Sequence, residues 1–475
     1  MSFSTLIFLL LFLPLYLIFY MRSDSISGKN NVLLVFSLIF YAFGGLKYLL
    51  LLIIMAAAGW AFGLAIERAN SKKNKQTLLV LSVVIFLAVL GIFKYTGFFV
   101  GTFGAIFHKD WAVSIALPIG ISFYIFKLLS YTADVYSGKC KAETSYRIFL
   151  LYLSIFHQSL QGPIVRYSQM RDSLYKREMT MESLSAGLYR FSVGLAKKTI
   201  LADQCGRIAD SLIPMSRDIS SVTTLGMWTG ALVYSMQLYI DFSAYTDMAV
   251  GLGTMIGFTY PENFNYPYTA VSIRDFWHRW HITLSRFFRD YVYIPLGGNR
   301  VSAKRTILNL LAVWALTGFW HGASWNFILW GLYYFVFIVF ENRRRQTGKK
   351  DWPPVLQHIY TIVVLVFGWV LFRFSDFHQL GYAIRAFFGF GGNGFTSFVV
   401  KLNVMNNLWL LIFCVLTCTP ALKMVGEYIQ HLSGAWKLPV SALHILKTVI
   451  VVLLLIMSIF TMAGNTYQPF LYNQF

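Results

Sequence analysis

The chain has 475 residues, of which 57% are hydrophobic, 18% aromatic and 13% charged, with a mean hydropathy of +0.59. A soluble protein of this length needs more polar cover than that, so a soluble globular fold is excluded. The formal charge of +20 would suit a nucleic-acid binder, but the lysines and arginines gather in short segments beside apolar runs, the pattern that orients a chain in a bilayer.

The first apolar run, Phe3–Tyr20, has no basic residue before it and no small-residue cleavage site after it. It therefore reads as a retained helix rather than a signal peptide. Leu49–Ile66, Leu78–Phe93, Leu408–Leu422 and Thr448–Met462 also approach the roughly 20 residues that cross a bilayer core. Counting weaker segments, roughly ten to twelve crossings or deep hairpins are expected. The predicted fold class is an all-α polytopic membrane protein. Residues 1–475 are read as one integral-membrane domain, with packing helices over 1–110, a cavity-bearing central core over 111–340 and further packing helices over 341–475. Basic clusters at Arg68–Lys75, Arg166–Arg177, Arg274–Arg305 and Arg343–Lys350 flank crossings closely and read as cytoplasmic. That puts Met21–Asn30 inside as well and the N-terminus outside. Cys414 and Cys418 stand one turn apart, with no second pair or nearby histidine, and read as core cysteines.

From Trp111 onward, charged residues, prolines and glycines interrupt the apolar segments. Such residues are costly in a membrane span unless they face a protein interior or a watery cavity. LPIGISFYIFKLLSYTADVYSGK (Leu117–Lys139) carries Lys127 and Asp134 seven apart on one face, an internal ion pair or an interfacial anchor. HQSLQGPIVRYSQM (His157–Met170) reads as a helix end near the membrane surface. MQLYIDFSAYTDMAVGLG (Met236–Gly253) crowds Gln237, Asp241, Ser243, Tyr245 and Asp247 into one apolar segment. It is either a capped helix junction or a stretch that shapes a site.

The densest segment is YPENFNYPYTAVSIRDFWHRWHITLSRFFRDYVYIPLGGNR, Tyr260–Arg300. It is too charged to span and too aromatic to be a free loop. Phe276, Trp277, Trp280, Phe287 and Phe288 alternate with Arg274, Arg279, Arg286 and Arg289 at helical spacing, which predicts an amphipathic helix lying in the cytoplasmic interface. His278 and His281, three apart, would share a face; His281, between Trp280 and Ile282, is expected to point inward. TGFWHGASWN (Thr317–Asn326) then places His321 where the chain re-enters the bilayer, beside Gly318, Gly322 and Ala323. Those small residues permit a close approach by another backbone or a ligand. A histidine at membrane depth is a candidate functional group by default.

In that order, LPIGISFYIFKLLSYTADVYSGK, QGPIVRY, DFSAYTDMAVGLG, RDFWHRWHITLSRFFRDYVYIPLGG and TGFWHGASWN resemble the membrane-bound O-acyltransferase (MBOAT) superfamily. The likeness is strongest to the bacterial branch that includes the alginate O-acetylation and teichoic-acid D-alanylation membrane subunits. It continues through FGWVLFRFSDF (Phe367–Phe377) to PFLYNQF (Pro469–Phe475) and is most specific in the RWHITLS and WHGASWN pair. Lys127 departs from the glutamine common in relatives, and His157 from a frequent proline.

The resemblance implies a many-helix bundle with re-entrant or interfacial helices around a funnel or tunnel that meets near a signature histidine. His321 matches that histidine, as general base, and His281 matches the second signature histidine, with a positioning role. Arg279, Trp280, Arg286 and Asn326 are expected at the donor. Asp241, Asp247, Gln237 and Trp320 are expected as supporting groups, with either aspartate a candidate to orient an imidazole. No metal and no permanently bound cofactor is expected. The donor substrate would be acetyl-coenzyme A or an acyl-carrier phosphopantetheine thioester. The partners would be the lipid bilayer, an extracytoplasmic esterase-like (SGNH-type) protein and a polysaccharide acceptor, with no nucleic acid, in the bacterial cytoplasmic membrane. A desolvated imidazole favours its neutral form, ready to accept a proton. D-alanyl transfer to teichoic acid is the alternative within the class. A membrane transporter is the rival outside it, and that reading predicts two similar halves, which this sequence lacks.

Overall fold

The computed structural model describes residues 1–215, 218–348, 352–435, 440–464 and 470, without the side chains of 430 and 432–444. Lys349, Lys350, Pro469 and Leu471–Phe475, which belong to segments singled out in the sequence, lie outside the described residues. Among the described residues the secondary structure is helical throughout, without strands. The all-α membrane fold class expected from composition is thus the observed one. The contacts divide the chain into two units, Met1–Phe191 with Tyr245–Pro261, and Ser192–Ala244 with Glu262–Phe475.

The first unit begins with a π turn, Phe8–Phe12, leading into α1 (Leu13–Met21), and continues through α2 (Ile26–Ala42), α3 (Leu46–Arg68) and α4 (Lys72–Ile106). α5 (Ile121–Tyr136), α6 (Tyr146–Ser154), α7 (Tyr167–Tyr175) and, up to Phe191, α8 (Met181–Ala196) follow. α4 exposes Val80, Leu81, Val84, Leu87 and Ile92, an apolar face of the kind a bilayer covers at low cost. α5 is buried along almost its whole length. Lys127 and Asp134 have separate partners, so the internal-pair expectation is corrected. The Lys127 ammonium donates to the Tyr152 carbonyl at 3.1 Å, while Asp134 accepts from Ser168 at 3.0 Å and faces Lys139 at 3.8 Å. His157 is fully buried, its Nδ1 3.1 Å from the Tyr260 hydroxyl.

α9 (Asp203–Leu212) lies in the second unit. α10 (Thr224–Met255) belongs to that unit up to Ala244 and to the first from Tyr245. It runs unbroken through the polar crowd of Gln237–Asp247, so that stretch is not a helix junction. The second unit then folds as α11 (Ile273–Arg279), α12 (Ile282–Phe288), α13 (Ala303–His321), α14 (Trp325–Gln346), α15 (Pro354–Arg373) and α16 (Phe377–Phe387). α17 (Phe398–Asn406), α18 (Leu408–Thr417), α19 (Ala421–Ala435) and α20 (Val440–Gly464) complete it.

By length and apolar composition, four helices among the described residues can cross a membrane: α3, α4, α15 and residues Ile445–Gly464 of α20. The α17–α18 pair, bent by 66°, makes a fifth if it counts as one span. Other apolar helices are shorter, such as Phe8–Met21 and Ile26–Ala42, which is where the larger count expected from hydropathy arises.

α13 and α14 form the hairpin that carries TGFWHGASWN. Their backbones meet at two glycines. A Cβ on Gly318 would lie 2.4 Å from the Phe327 carbonyl oxygen, and one on Gly331 2.3 Å from that of Trp314. The small residues around His321 thus serve helix packing; Gly322 likewise abuts the Phe327 ring. α15 is pinned to α9 by Arg373, whose guanidinium donates to the Asp210 carboxylate at 2.5 Å and to the Ile213 carbonyl at 2.9 Å.

A candidate active site built on two histidines

The aromatic and basic segment does not form one amphipathic helix. It breaks at Trp280–His281 into α11 and α12, because His281 takes a left-handed backbone conformation, φ 42°, which is uncommon for a non-glycine residue. Asn263 supports the break. Its carbonyl oxygen, Oδ1, accepts from the Thr283 amide at 3.2 Å, the Thr283 hydroxyl at 2.9 Å and His281 Nδ1 at 3.1 Å. Its backbone carbonyl accepts from the Ile282 amide at 3.0 Å. Because an amide N–H can only donate, the Thr283 contact fixes which end of the Asn263 side chain faces it. The same oxygen can only accept, so His281 carries its proton on Nδ1 and presents a lone pair at Nε2. Burial pushes the His281 pKa down to about 3 from 6.5, and the ring is therefore neutral at physiological pH.

α11 is fixed at both ends. Glu341 of α14 accepts the Ile273 and Arg274 amides at 2.7 and 3.0 Å, a carboxylate at a helix N-terminus where the dipole favours it. Its aromatic residues turn inward against the protein. Trp280 stacks on Phe276 at 5.4 Å and packs on Trp369 at 4.9 Å. Trp277 packs edge-on against Trp314, Trp330 and Tyr334. The break also parts His278, exposed, from His281, 1% exposed.

His321 ends α13 and is 5% exposed. Its ring is boxed by Trp320, Trp330 and Phe372, with centroids at 4.9, 4.8 and 5.5 Å. Trp320 also lies 6.1 Å from His281, whose other side meets Phe242 at 4.9 Å. One indole therefore separates the two imidazoles.

Both histidines line one cavity of about 1020 Å³ within the second unit. At its buried end stand His281, His321 and Trp280. Elsewhere its wall carries the exposed Arg274, Arg286, Arg289, Lys304, Arg343 and Arg345. Among the described residues no aspartate or glutamate lines it. Arg289 is paired to Asp290 at 2.7 Å, and the net excess of positive charge on the wall draws a polyanion toward the entrance.

Of the sequence candidates, the cavity gathers His281, His321, Trp280 and Arg286. The others lie elsewhere. Arg279 pairs with Asp275 at 2.9 Å. Asn326 donates its amide to the carbonyls of Leu371 and Phe372 at 3.3 and 3.1 Å, bracing α14 on α15. Asp241 meets Lys198 at 2.8 Å, and the same ammonium reaches Asp203 at 2.7 Å. Asp247, in the first unit, meets Arg190 at 3.0 Å. Gln237 packs against Gly206 of α9.

The His281 partner that sequence reasoning missed is Asn263. Its signal was an asparagine between prolines in YPENFNYPY, a turn-forming context with a side chain able to satisfy freed amides. The basic wall supplied by Arg343 and Arg345 was also missed as part of the site, because it comes from the far end of α14.

Residues 73–384 match the sequence profile of the membrane-bound O-acyltransferase family, MBOAT. The chain is 36% identical to the "Probable alginate O-acetylase AlgI" of Azotobacter vinelandii, over all of both chains. It is 33% identical to the "Peptidoglycan O-acetyltransferase" of Helicobacter pylori, over 82% of this chain and 80% of that one. Identity to the "Teichoic acid D-alanyltransferase" of Bacillus subtilis is 30%, over 55% of this chain and 70% of the other.

Proposed function

Since the chain belongs to the membrane-bound O-acyltransferase family and is an O-acyltransferase, we propose that it transfers acetyl from cytoplasmic acetyl-coenzyme A toward hydroxyls of a cell-envelope or secreted polysaccharide, with His321 as general base. The observation that carries this reading is the cavity that joins both buried histidines to a wall of six basic residues. A nucleotide-bearing thioester needs both ends. Its phosphates suit Arg274, Arg286, Arg289, Lys304, Arg343 and Arg345, and its narrow pantetheine arm suits the apolar interior toward His321.

In the step itself, the attacking hydroxyl oxygen bonds to the thioester carbonyl carbon as His321 takes the hydroxyl proton. The carbon–sulfur bond then breaks and the thiolate recovers the proton. General-base assistance of this kind is worth about 10²–10⁴ in rate. His281, neutral and held through Nδ1 by Asn263, stands at the same buried end and positions the donor or the nucleophile. An extracytoplasmic esterase-like partner completes delivery to the polymer. The bacterial cytoplasmic membrane is the setting in which a cytosolic thioester and an envelope acceptor meet across one protein.

The test uses membranes containing the full chain, given acetyl-coenzyme A labelled in the acetyl group. Loss of label from the coenzyme to membrane or polymer is the expected result. If label moves only from a D-alanyl carrier-protein thioester, the acetyl assignment fails and D-alanyl transfer replaces it.

A further inference from the structure

One face of α13 runs the length of the large cavity. Lys304, Ile307, Leu310, Trp314, Thr317 and His321 recur every three or four residues, and all of them line it, as neighbours on one helix face can. That face starts at the basic wall and ends at the buried imidazole, about 25 Å along the axis at roughly 1.5 Å per residue. α12 flanks the same cavity, from His281 at the buried end to Arg286, and Arg289 just beyond it, on the wall.

A hydroxyl stands one helical turn from each histidine. Thr317 precedes His321 on α13, and Ser285 follows His281 on α12. Both line the cavity, Thr317 7% exposed and Ser285 half-buried. Each has spent its proton on the main chain. The Thr317 hydroxyl donates to the Val313 carbonyl at 2.7 Å, and that of Ser285 to the Trp277 carbonyl at 3.3 Å. A hydroxyl has one proton to give and two lone pairs, so what this pair has left to offer a ligand is acceptor capacity. Such a pair suits an N–H group.

In a pantetheine thioester, two methylene groups separate the sulfur from the nearest amide nitrogen. With the thioester carbonyl at His321, the extended stretch from the carbonyl carbon to that nitrogen is about as long as one helical turn, roughly 5–6 Å. It brings the amide to the depth of the two hydroxyls. An amide N–H taken into an apolar passage is costly unless something there accepts from it. We infer that Thr317, with Ser285 from the other helix, accepts the amide N–H nearest the sulfur and so sets how far the thioester reaches toward His321. The cavity then selects pantetheine thioesters over thioesters without an amide at this position. This rests on the reading of His321 as the base for such a donor and adds the group that holds the donor beside it.

The experiment compares acetyl-coenzyme A with the analogue in which an ester oxygen replaces that amide N–H. Both are given to the purified full chain and followed by isothermal titration and by acetyl turnover. Wild type is expected to prefer the amide about five- to ten-fold in Kd and in kcat/KM, the effect of one hydrogen bond. Thr317→Val keeps the shape of the side chain without its hydroxyl and should erase most of the preference, and Thr317→Ser should restore it. Ser285→Ala should lower the preference about two-fold, and it keeps the test open if Thr317→Val misfolds. Damage to the fold weakens both donors alike and leaves their ratio unmoved. Wild type that binds both donors equally, or a ratio unchanged in folded Thr317→Val or in Ser285→Ala, overturns the inference. Amide preference in binding without any acetyl turnover keeps the inference and sinks the acetyl-transfer reading. Turnover without the preference does the reverse, and acetyl-coenzyme A that does not bind overturns both.

Discussion

Asn263 concentrates three hydrogen bonds on one oxygen, and His281 depends on it twice, for its tautomer and for the left-handed backbone that α12 starts from. Asn263→Ala leaves buried donors on Thr283 and His281 without their acceptor. A loss of about 1–3 kcal/mol in unfolding stability is expected, along with a fall in kcat larger than any change in donor KM. Asn263→Asp keeps an acceptor at that place and should recover part of the kcat; equal kcat values for Ala and Asp would remove the positioning role. Burial sets the pH response of the same site. The folded protein holds His281 neutral down to about pH 3, whereas an unfolded chain protonates it below about 6.5. The folded state thus binds fewer protons in that window. The contribution of this residue to stability is intact above pH 6.5, declines as pH falls and levels off near 3. At pH 5 the loss is about 2 kcal/mol. Unfolding temperatures of wild type and His281→Gln, followed from pH 7 to 4 in one detergent, should converge as the pH drops; parallel curves would contradict the assignment.

At the scale of elements, the site depends on how α13 and α14 approach each other. Gly331→Ala puts a methyl 2.3 Å from a backbone carbonyl, which no rotamer relieves. Overpacking of this kind costs about 1–3 kcal/mol and displaces the Trp330 side of the His321 box. Thermal unfolding of the purified variant measures the first effect, and its acetyl-transfer rate the second. The same elements show what was readable beforehand. The burial of both histidines was legible because polar residues in apolar surroundings stand out. The break inside RDFWHRWHITLSRFF was not, because arginines and aromatics at helical spacing fit an interfacial helix equally well. Asn263, 18 residues before His281, carries the choice, and nothing local to the helix pattern announces it. The aspartates of DFSAYTDMAV misled for a related reason. A carboxylate in an apolar run needs a partner, and in the fold those partners are Lys198 and Arg190.

For the whole molecule, part of the excess of basic residues lines the wall of the large cavity. Arg343 and Arg345 belong to that wall although they sit in the last turn of α14, beside an apolar stretch where the positive-inside pattern alone would account for them. Replacing both with glutamine should raise the donor KM roughly three- to ten-fold and flatten its salt dependence, with kcat kept within about two-fold. A KM unchanged at low ionic strength would detach the wall from donor capture.

The central claim is that His321 accepts the proton at the buried end of that cavity, and single-turnover acetyl transfer by purified wild type and His321→Ala tests it most directly. The account predicts a rate constant about 10²–10⁴ lower in the variant, with acetyl-coenzyme A bound nearly as tightly and the unfolding temperature retained. A folded His321→Ala protein that transfers acetyl at the wild-type rate would contradict it.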